Sequence, residues 1–180
     1  MTEKRTAEKA KKTYTVALAG NPNVGKSTLF NALTGMKQHT GNWPGKTVAT
    51  AVGYATGEKY TYRMTDLPGT YSLMAHSAEE DVAREFLCFG GADITVVVCD
   101  ATCLERNMNL ALQVMEATGR VVLAVNLMDE AKRKGIRINT EELSKRLGIP
   151  VVGTVARKKK TLRRLLSCID SEIDNKSLQK

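Results

Sequence analysis

Aromatic residues make up only 5% of this 180-residue chain, and none interleaves with its basic clusters. That scarcity argues against a surface that reads single-stranded RNA by stacking bases. No apolar run approaches the roughly 20 residues needed to cross a bilayer, and no signal-peptide pattern opens the chain. Internal repeats and low-complexity linkers are missing too. The four cysteines, Cys88, Cys99, Cys103 and Cys168, contain no CxxC pair. A metal site on Cys99 and Cys103 would need ligands that the sequence does not offer. All four fall in apolar helix or strand contexts, so buried thiols in a reducing compartment are expected. The remaining composition, 42% hydrophobic and 26% charged, is that of a soluble globular chain long enough for one domain with a full core.

Against that plain background one string stands out. Gly20-Asn21-Pro22-Asn23-Val24-Gly25-Lys26-Ser27 fits the pattern G-x-x-x-x-G-K-[ST]. A β-rich run, residues 14–19, enters it, and a helical pattern, residues 27–33, leaves it. That order suits phosphate chemistry. The glycines let backbone N–H groups turn inward, and the helix N-terminus adds its positive end. Lys26 is then expected on the β- and γ-phosphates, the Ser27 hydroxyl on Mg²⁺, and Thr28 within the contact set.

Two further motifs follow in the order such a site requires. The alternating run 60–65 leads into Asp66-Leu67-Pro68-Gly69. Asp66 is expected in the Mg²⁺ shell, and Gly69 can bring a backbone N–H to the γ-phosphate where a side chain would obstruct it. The buried-strand pattern 120–125 ends in Asn126-Leu127-Met128-Asp129. At the carboxyl end of a parallel strand, the Asp129 carboxylate can accept from guanine N1–H and the 2-amino group, a donor pair that adenine lacks. A helix N-cap in an ordinary loop is the alternative for Asp129. Together the three motifs imply guanine-nucleotide binding.

Strands are expected near 14–20, 47–55, 58–65, 93–100, 120–126 and 150–153, with helices near 27–35, 79–89, 105–118, 141–147 and 160–173 and a short one after 129. The alternation implies an α/β fold with a mostly parallel six-stranded sheet and helices on both faces. A tight turn at Gly57 makes 47–55/58–65 a hairpin, hence one antiparallel strand. That is the layout of a Ras-like P-loop G domain, expected over 14–174 between a basic, disordered leader at 1–13 and a tail at 175–180.

The net charge of +8 gathers at that leader, at Lys132, Arg133, Lys134 and Arg137, and at Arg157 to Lys160 with Arg163 and Arg164. Such patches favour anionic surfaces, whether membrane headgroups or RNA; solvated charge is the plain alternative.

Longer strings resemble one family. Thr40-Gly-Asn-Trp-Pro-Gly-Lys-Thr-Val48, Asp66-Leu-Pro-Gly-Thr-Tyr-Ser-Leu73, Glu79 to Arg84, Asp100-Ala-Thr-Cys-Leu-Glu-Arg-Asn107 and Asn126 to Ala131 are similar to the switches and loops of ferrous iron transport protein B (FeoB). The match covers roughly residues 14–168. The resemblance implies a G domain that hydrolyses GTP slowly at the cytoplasmic face of the cell membrane and regulates Fe²⁺ uptake by a polytopic membrane region. It implies that Thr47 is the switch threonine meeting Mg²⁺ and the γ-phosphate. It also implies that Asn23 ligates K⁺ beside the phosphates, where a cation would neutralise charge developing on the β–γ bridge. A turn residue stabilising the loop is the alternative for Asn23.

The sequence departs from the pattern in several places. Thr70 follows Gly69 where Ras-like enzymes carry a water-orienting glutamine, so the water would be held by Trp43-Pro44-Gly45 backbone groups or by Thr47. Leu127 replaces a common lysine, so packing over the purine would be apolar. Val155 stands where a serine is usual, leaving the Ala156 N–H to reach guanine O6 and implying modest affinity. His76, Glu79 and Glu80 read as an exposed mobile loop. The chain ends where the family's helical domain would begin, so it is expected to be a fragment or a stand-alone G protein with a separate membrane partner. An RNA- or ribosome-associated assembly GTPase and a non-hydrolysing GTP-dependent adaptor are the competing readings; DNA is not an expected partner.

Overall fold

The β-branched and apolar runs of the sequence form the strands, and the amphipathic runs between them cover the sheet. The computed structural model describes residues 11–74 and 77–177. Its elements are β1 (Thr13–Gly20), α1 (Lys26–Thr34), β2 (Gln38–Asn42), β3 (Ala49–Thr56), β4 (Thr61–Asp66), α2 (Ala78–Phe89), β5 (Ile94–Asp100), α3 (Leu104–Ala117), β6 (Val121–Asn126), α4 (Met128–Arg133), α5 (Thr140–Leu147), β7 (Val151–Gly153) and α6 (Lys159–Ser177).

The strands make one sheet in the order β2-β3-β4-β1-β5-β6-β7. Pairing is parallel from β4 through β1, β5 and β6 to β7, while β3 runs against both its neighbours. The expected hairpin is β3–β4, closed by the Gly57 N–H donating to Tyr60 O at 2.9 Å. The fold is the α/β arrangement expected, with one reversed strand, but the sheet has seven strands rather than six. The added strand is Gln38-His39-Thr40-Gly41-Asn42, which overlaps the start of the Thr40–Val48 string. Its composition carries no strand signal. Its backbone alone makes it a strand, pairing on the edge with β3.

Alternate residues of the central strands feed two cores. Val16, Leu18, Tyr62 and Met64 pack with Leu29 and Phe30 of α1 and Leu165, Ile169 and Ile173 of α6. Ala17, Ala19, Val97, Leu123 and Val125 pack on the other face with Phe86 of α2 and Leu110 and Val114 of α3. Both faces are covered, which is why the parallel strands are continuously apolar.

Two sequence expectations change. The capping pair Ser77 and Glu80 starts α2: Glu80 N–H donates to Ser77 Oγ at 3.1 Å, and Ser77 N–H donates to Glu80 Oε2 at 3.2 Å. Glu80 is therefore a buried cap and not part of an exposed loop, while Glu79 is exposed and His76 lies outside the described residues. Of the cysteines only Cys99 is buried; Cys88 and Cys103 are exposed and Cys168 is half-buried. β1 begins at Thr13 and α6 reaches Ser177. Most of the basic leader lies outside the described residues, but Lys11 Nζ donates to Gly57 O at 2.7 Å and Thr61 N–H donates to Lys12 O at 3.0 Å.

Candidate functional site

Parallel strands end together, so β1, β4, β5 and β6 deliver Gly20, Asp66, Asp100 and Asn126 to one edge of the sheet. The phosphate-loop sequence leaves β1 there and turns on two left-handed residues, Asn23 (φ 65°) and Gly25 (φ 79°). Gly25 is the N-cap of α1 and supplies no side-chain cap, so the first N–H groups of that helix face the loop. A Cβ on Gly25 would lie 2.5 Å from Asn126 Nδ2, and one on Gly20 would lie 2.6 Å from Val98 O. Both glycines sit where a neighbour passes too close for a side chain, the Val98 backbone at Gly20 and the Asn126 amide at Gly25.

The loop encloses a cleft of about 410 Å³ lined by Asn21, Pro22, Asn23, Gly25, Lys26, Ser27, Thr28 and Gly69. The buried Lys26 ammonium is ion-paired with Asp66 and donates to Leu67 O. Ser27 Oγ donates to Asp66 Oδ2 at 2.8 Å. A hydroxyl and a carboxylate in contact at the cleft are hard oxygen donors of the kind that suit Mg²⁺. Asn21 is 3% exposed, and its Oδ1 has no hydrogen-bond partner among the described residues. That buried acceptor, in a cleft that also holds the exposed Asn23, fits a cation or a water more readily than a phosphate oxygen.

β4 continues past its end as a partner of β1, with Leu67 N–H donating to Leu18 O at 3.0 Å and Thr70 N–H to Gly20 O at 3.2 Å. This brings Gly69 against Pro22, where a Cβ would lie 3.2 Å from the Pro22 Cα. Thr70 is only 4% exposed, so its side chain is turned into the protein.

Thr47 is not gathered with these residues. It lies exposed at the tip of the β2–β3 hairpin and does not line the cleft. The tip is held over α2 instead. Trp43 packs edge-on to Phe86 at 5.6 Å and its Nε1–H donates to Glu85 Oε2 at 3.3 Å, while Lys46 sits 3.5 Å from Asp81. Trp43-Pro44-Gly45-Lys46 forms a turn, with Gly45 at φ 75° and the Trp43 N–H donating to Val48 O at 2.8 Å.

Asn126 joins the two ends of the site. It is fully buried; its Nδ2 donates to Val24 O at 3.1 Å and its Oδ1 accepts from Thr154 Oγ1 at 3.1 Å. Both ends of the amide are thus used to tie the phosphate loop to the loop after β7. Leu127 follows in a left-handed conformation (φ 61°) as the N-cap of α4, which turns Asp129 into the first turn of that helix. Burial pushes the Asp129 carboxyl up, but the Arg157 guanidinium and the N–H groups of Asp129 and Glu130 outweigh it and hold the acid below its usual range.

The loop after β7 is built by residues that carried no signal in the sequence. Thr154, fully buried, holds Asn126. Thr161 Oγ1 accepts from Val155 N–H at 3.0 Å, and its own hydroxyl sits against Val155 O and Lys158 O at 3.0 and 2.9 Å. Val155, 7% exposed, therefore has its side chain buried and its N–H held by Thr161; Ala156 packs partly against the α1–α6 core. Arg157, read only as one member of a basic cluster, is the ion-pair partner of Asp129.

A family model described as ferrous iron transport protein B matches residues 14–169. The chain belongs to this family. It is 40% identical to the Fe(2+) transporter FeoB of Salmonella typhimurium and to that of Escherichia coli K12, over 172 residues that cover 93% of this chain. It spans 22% of the length of those relatives. Among solved structures, the FeoB G domain of T. maritima is similar with a TM-score of 0.83 and 45% identity, covering 88% of this chain and 98% of that one. The cytosolic domain of T. maritima FeoB in its GMPPNP form gives a TM-score of 0.86 at 46% identity, covering 89% of this chain and 64% of that one. The FeoB G-domain of Methanococcus jannaschii gives 0.78 at 43% identity, covering 91% and 99%. The chain thus has the fold of a FeoB G domain. Among the described residues no helix is long and apolar enough to cross a membrane, and no group of three or more His, Cys, Asp and Glu side chains is placed to hold a metal.

Proposed function

We propose that this chain binds guanine nucleotide with Mg²⁺ and hydrolyses GTP slowly, as the regulatory G domain of a ferrous iron uptake system. The observation that carries this reading is the convergence at one sheet edge of the Gly20–Ser27 loop, Asp66 and Gly69, with Asn126 linking that loop to the base motif.

The α1 N-terminus and the loop N–H groups would bind the phosphates, and Lys26 would leave Asp66 to meet the β- and γ-phosphates. Ser27 and Asp66, joined by Thr47, would hold Mg²⁺, whose chemistry is neutralisation of the β- and γ-oxygens. The Gly69 N–H would meet the γ-phosphate. Asp129 would read guanine N1–H and the 2-amino group, with Leu127 packing on the purine, the Ala156 N–H on O6 and Val155 as a structural neighbour. Asn126 acts through the loops it joins.

For Thr47 to serve, the hairpin tip must come off α2 and close on the cleft. That closure would also bring Trp43-Pro44-Gly45 backbone groups to the attacking water. Asn23 would hold K⁺ beside the phosphates, with the unpaired Asn21 Oδ1 lining the same cleft. The chemistry of that ion is charge neutralisation on the bridge oxygen.

The iron permease would be a membrane region in the same polypeptide or a separate one, with the G domain at its cytoplasmic face. The exposed cations of α4 and α6 flank open grooves of about 780 and 500 Å³ and suit an anionic membrane surface. Phosphate release from GTP, measured in K⁺ and in Na⁺ for wild type and Asn23→Ala, tests the catalytic reading. K⁺ should accelerate wild type and not the variant. Equal rates in both salts refute the K⁺ role, and release at the buffer rate refutes hydrolysis and leaves a GTP-dependent adaptor.

A further inference from the structure

The base-reading carboxylate already has a partner. Asp129 lies at the start of α4 with its side chain 17% exposed, and Arg157, 72% exposed, reaches from the loop after β7 to pair with its Oδ2. The same carboxylate sits in the first turn of α4, whose N–H groups help to hold the acid below its usual range. A carboxylate has about four acceptor positions, and guanine needs two of them side by side. Guanine would set one donor on each carboxylate oxygen, and the guanidinium on Oδ2 stands where one of them must go.

We propose that Arg157 competes with guanine for Asp129, a built-in and displaceable occupant that lowers affinity for the base. The inference rests on the guanine-reading role given to Asp129 above. The geometry suits displacement. Arg157 is mostly in solvent and held on one side only, so a partner offering two N–H donors can replace it. It also suits a weak effect, since an exposed ion pair can alter an equilibrium by no more than about fivefold. Val155 N–H and the Lys158 turn are fixed by Thr161, so the Arg157 backbone has a set position and its side chain alone needs to move.

Equilibrium binding of GDP and of IDP, which lacks the 2-amino group, tests this on wild type, Arg157→Ala and Arg157→Gln. The glutamine variant keeps most of the side chain's length without its charge, so a change in loop packing is separated from loss of the pair; thermal melting of each variant checks folding. Both variants should bind GDP about two- to fivefold more tightly than wild type. IDP, which presents one donor and can share the carboxylate with Arg157, should gain less, so guanine selectivity rises. Unchanged or weaker GDP binding by Arg157→Gln overturns the proposal, as does an equal gain for IDP. If wild type binds neither nucleotide, the guanine-site reading fails and this inference falls with it. If wild type binds GDP and the variants do not gain, only the inference fails.

Discussion

Replacing Asn126 by alanine should destabilise the protein before any nucleotide is added. The amide is fully buried and holds two groups from distant parts of the chain, Val24 O and Thr154 Oγ1, each at 3.1 Å. Its removal loses two hydrogen bonds and leaves a carbonyl and a hydroxyl buried without those partners; Val24 is 2% exposed and Thr154 0%. Each lost bond is worth about 1 kcal/mol, and a stranded buried polar group costs about 1–3 kcal/mol where it cannot find another partner. A total of about 3 kcal/mol is reasonable, since Thr154 can turn its hydroxyl. Urea unfolding reads this directly: with a slope of about 2 kcal/mol per molar, the midpoint should fall by roughly 1.5 M. Asn126→Asp keeps the acceptor for Thr154 and loses the donor to Val24 O, so it should destabilise as well. Gly25→Ala reaches the same joint from the other side, because its Cβ would meet Asn126 Nδ2 at 2.5 Å at a position where φ is 79°. If Asn126→Ala keeps the wild-type midpoint and loses only GDP binding, Asn126 is a direct ligand of the base and the strut argument is wrong.

Three further outcomes are expected. Trp43 is the only tryptophan, so its emission should change when a non-hydrolysable GTP analogue with Mg²⁺ draws the hairpin off Phe86, and GDP should leave it closer to the free protein; identical spectra in both states would show that the tip does not move. Maleimide should label exposed Cys88 fastest and Cys99 not at all in the folded protein, because burial pushes the Cys99 thiol up to about 12 and that of Cys168 to about 11; mass spectrometry that finds Cys99 modified under native conditions would refute this. The Asp174 carboxyl is held below its usual range, chiefly by Lys59 and then by Tyr60. Its folded value is depressed, so the stability it adds is present above the ordinary carboxylate value and is lost as pH falls through the lowered one. Asp174→Asn should therefore flatten the acid limb of stability against pH, and an unchanged limb in urea titrations across that range would refute it.

The sequence made the central architecture readable where local pattern and tertiary need agree. The strand–loop–helix around Lys26, the β3–β4 hairpin at Gly57 and the placement of Asp66 and Asn126 at strand ends all follow from alternation, turn residues and the order of elements. The edge strand β2 was not readable, because it holds its place by backbone pairing with β3 while His39 to Asn42 keep their side chains exposed. The capping pair Ser77–Glu80 was readable from its spacing, yet the reading of that stretch as a mobile switch displaced it. Thr154, Thr161 and Arg157 gave no local sign. Each acts on a partner brought close by the fold, and a threonine or arginine in a polar loop has many solvent-facing reasons to be there. The position of Thr47 away from the cleft was equally hidden, since it depends on Trp43 finding Phe86 and Glu85 across about 42 residues.

Calorimetric titration with GDP and ADP in Mg²⁺ shows whether this sheet edge is a guanine-nucleotide site. GDP should bind with one-to-one stoichiometry and ADP should not saturate at comparable concentrations, with the preference lost in Asp129→Ala. Equal binding of ADP and GDP, or binding of neither, would contradict it.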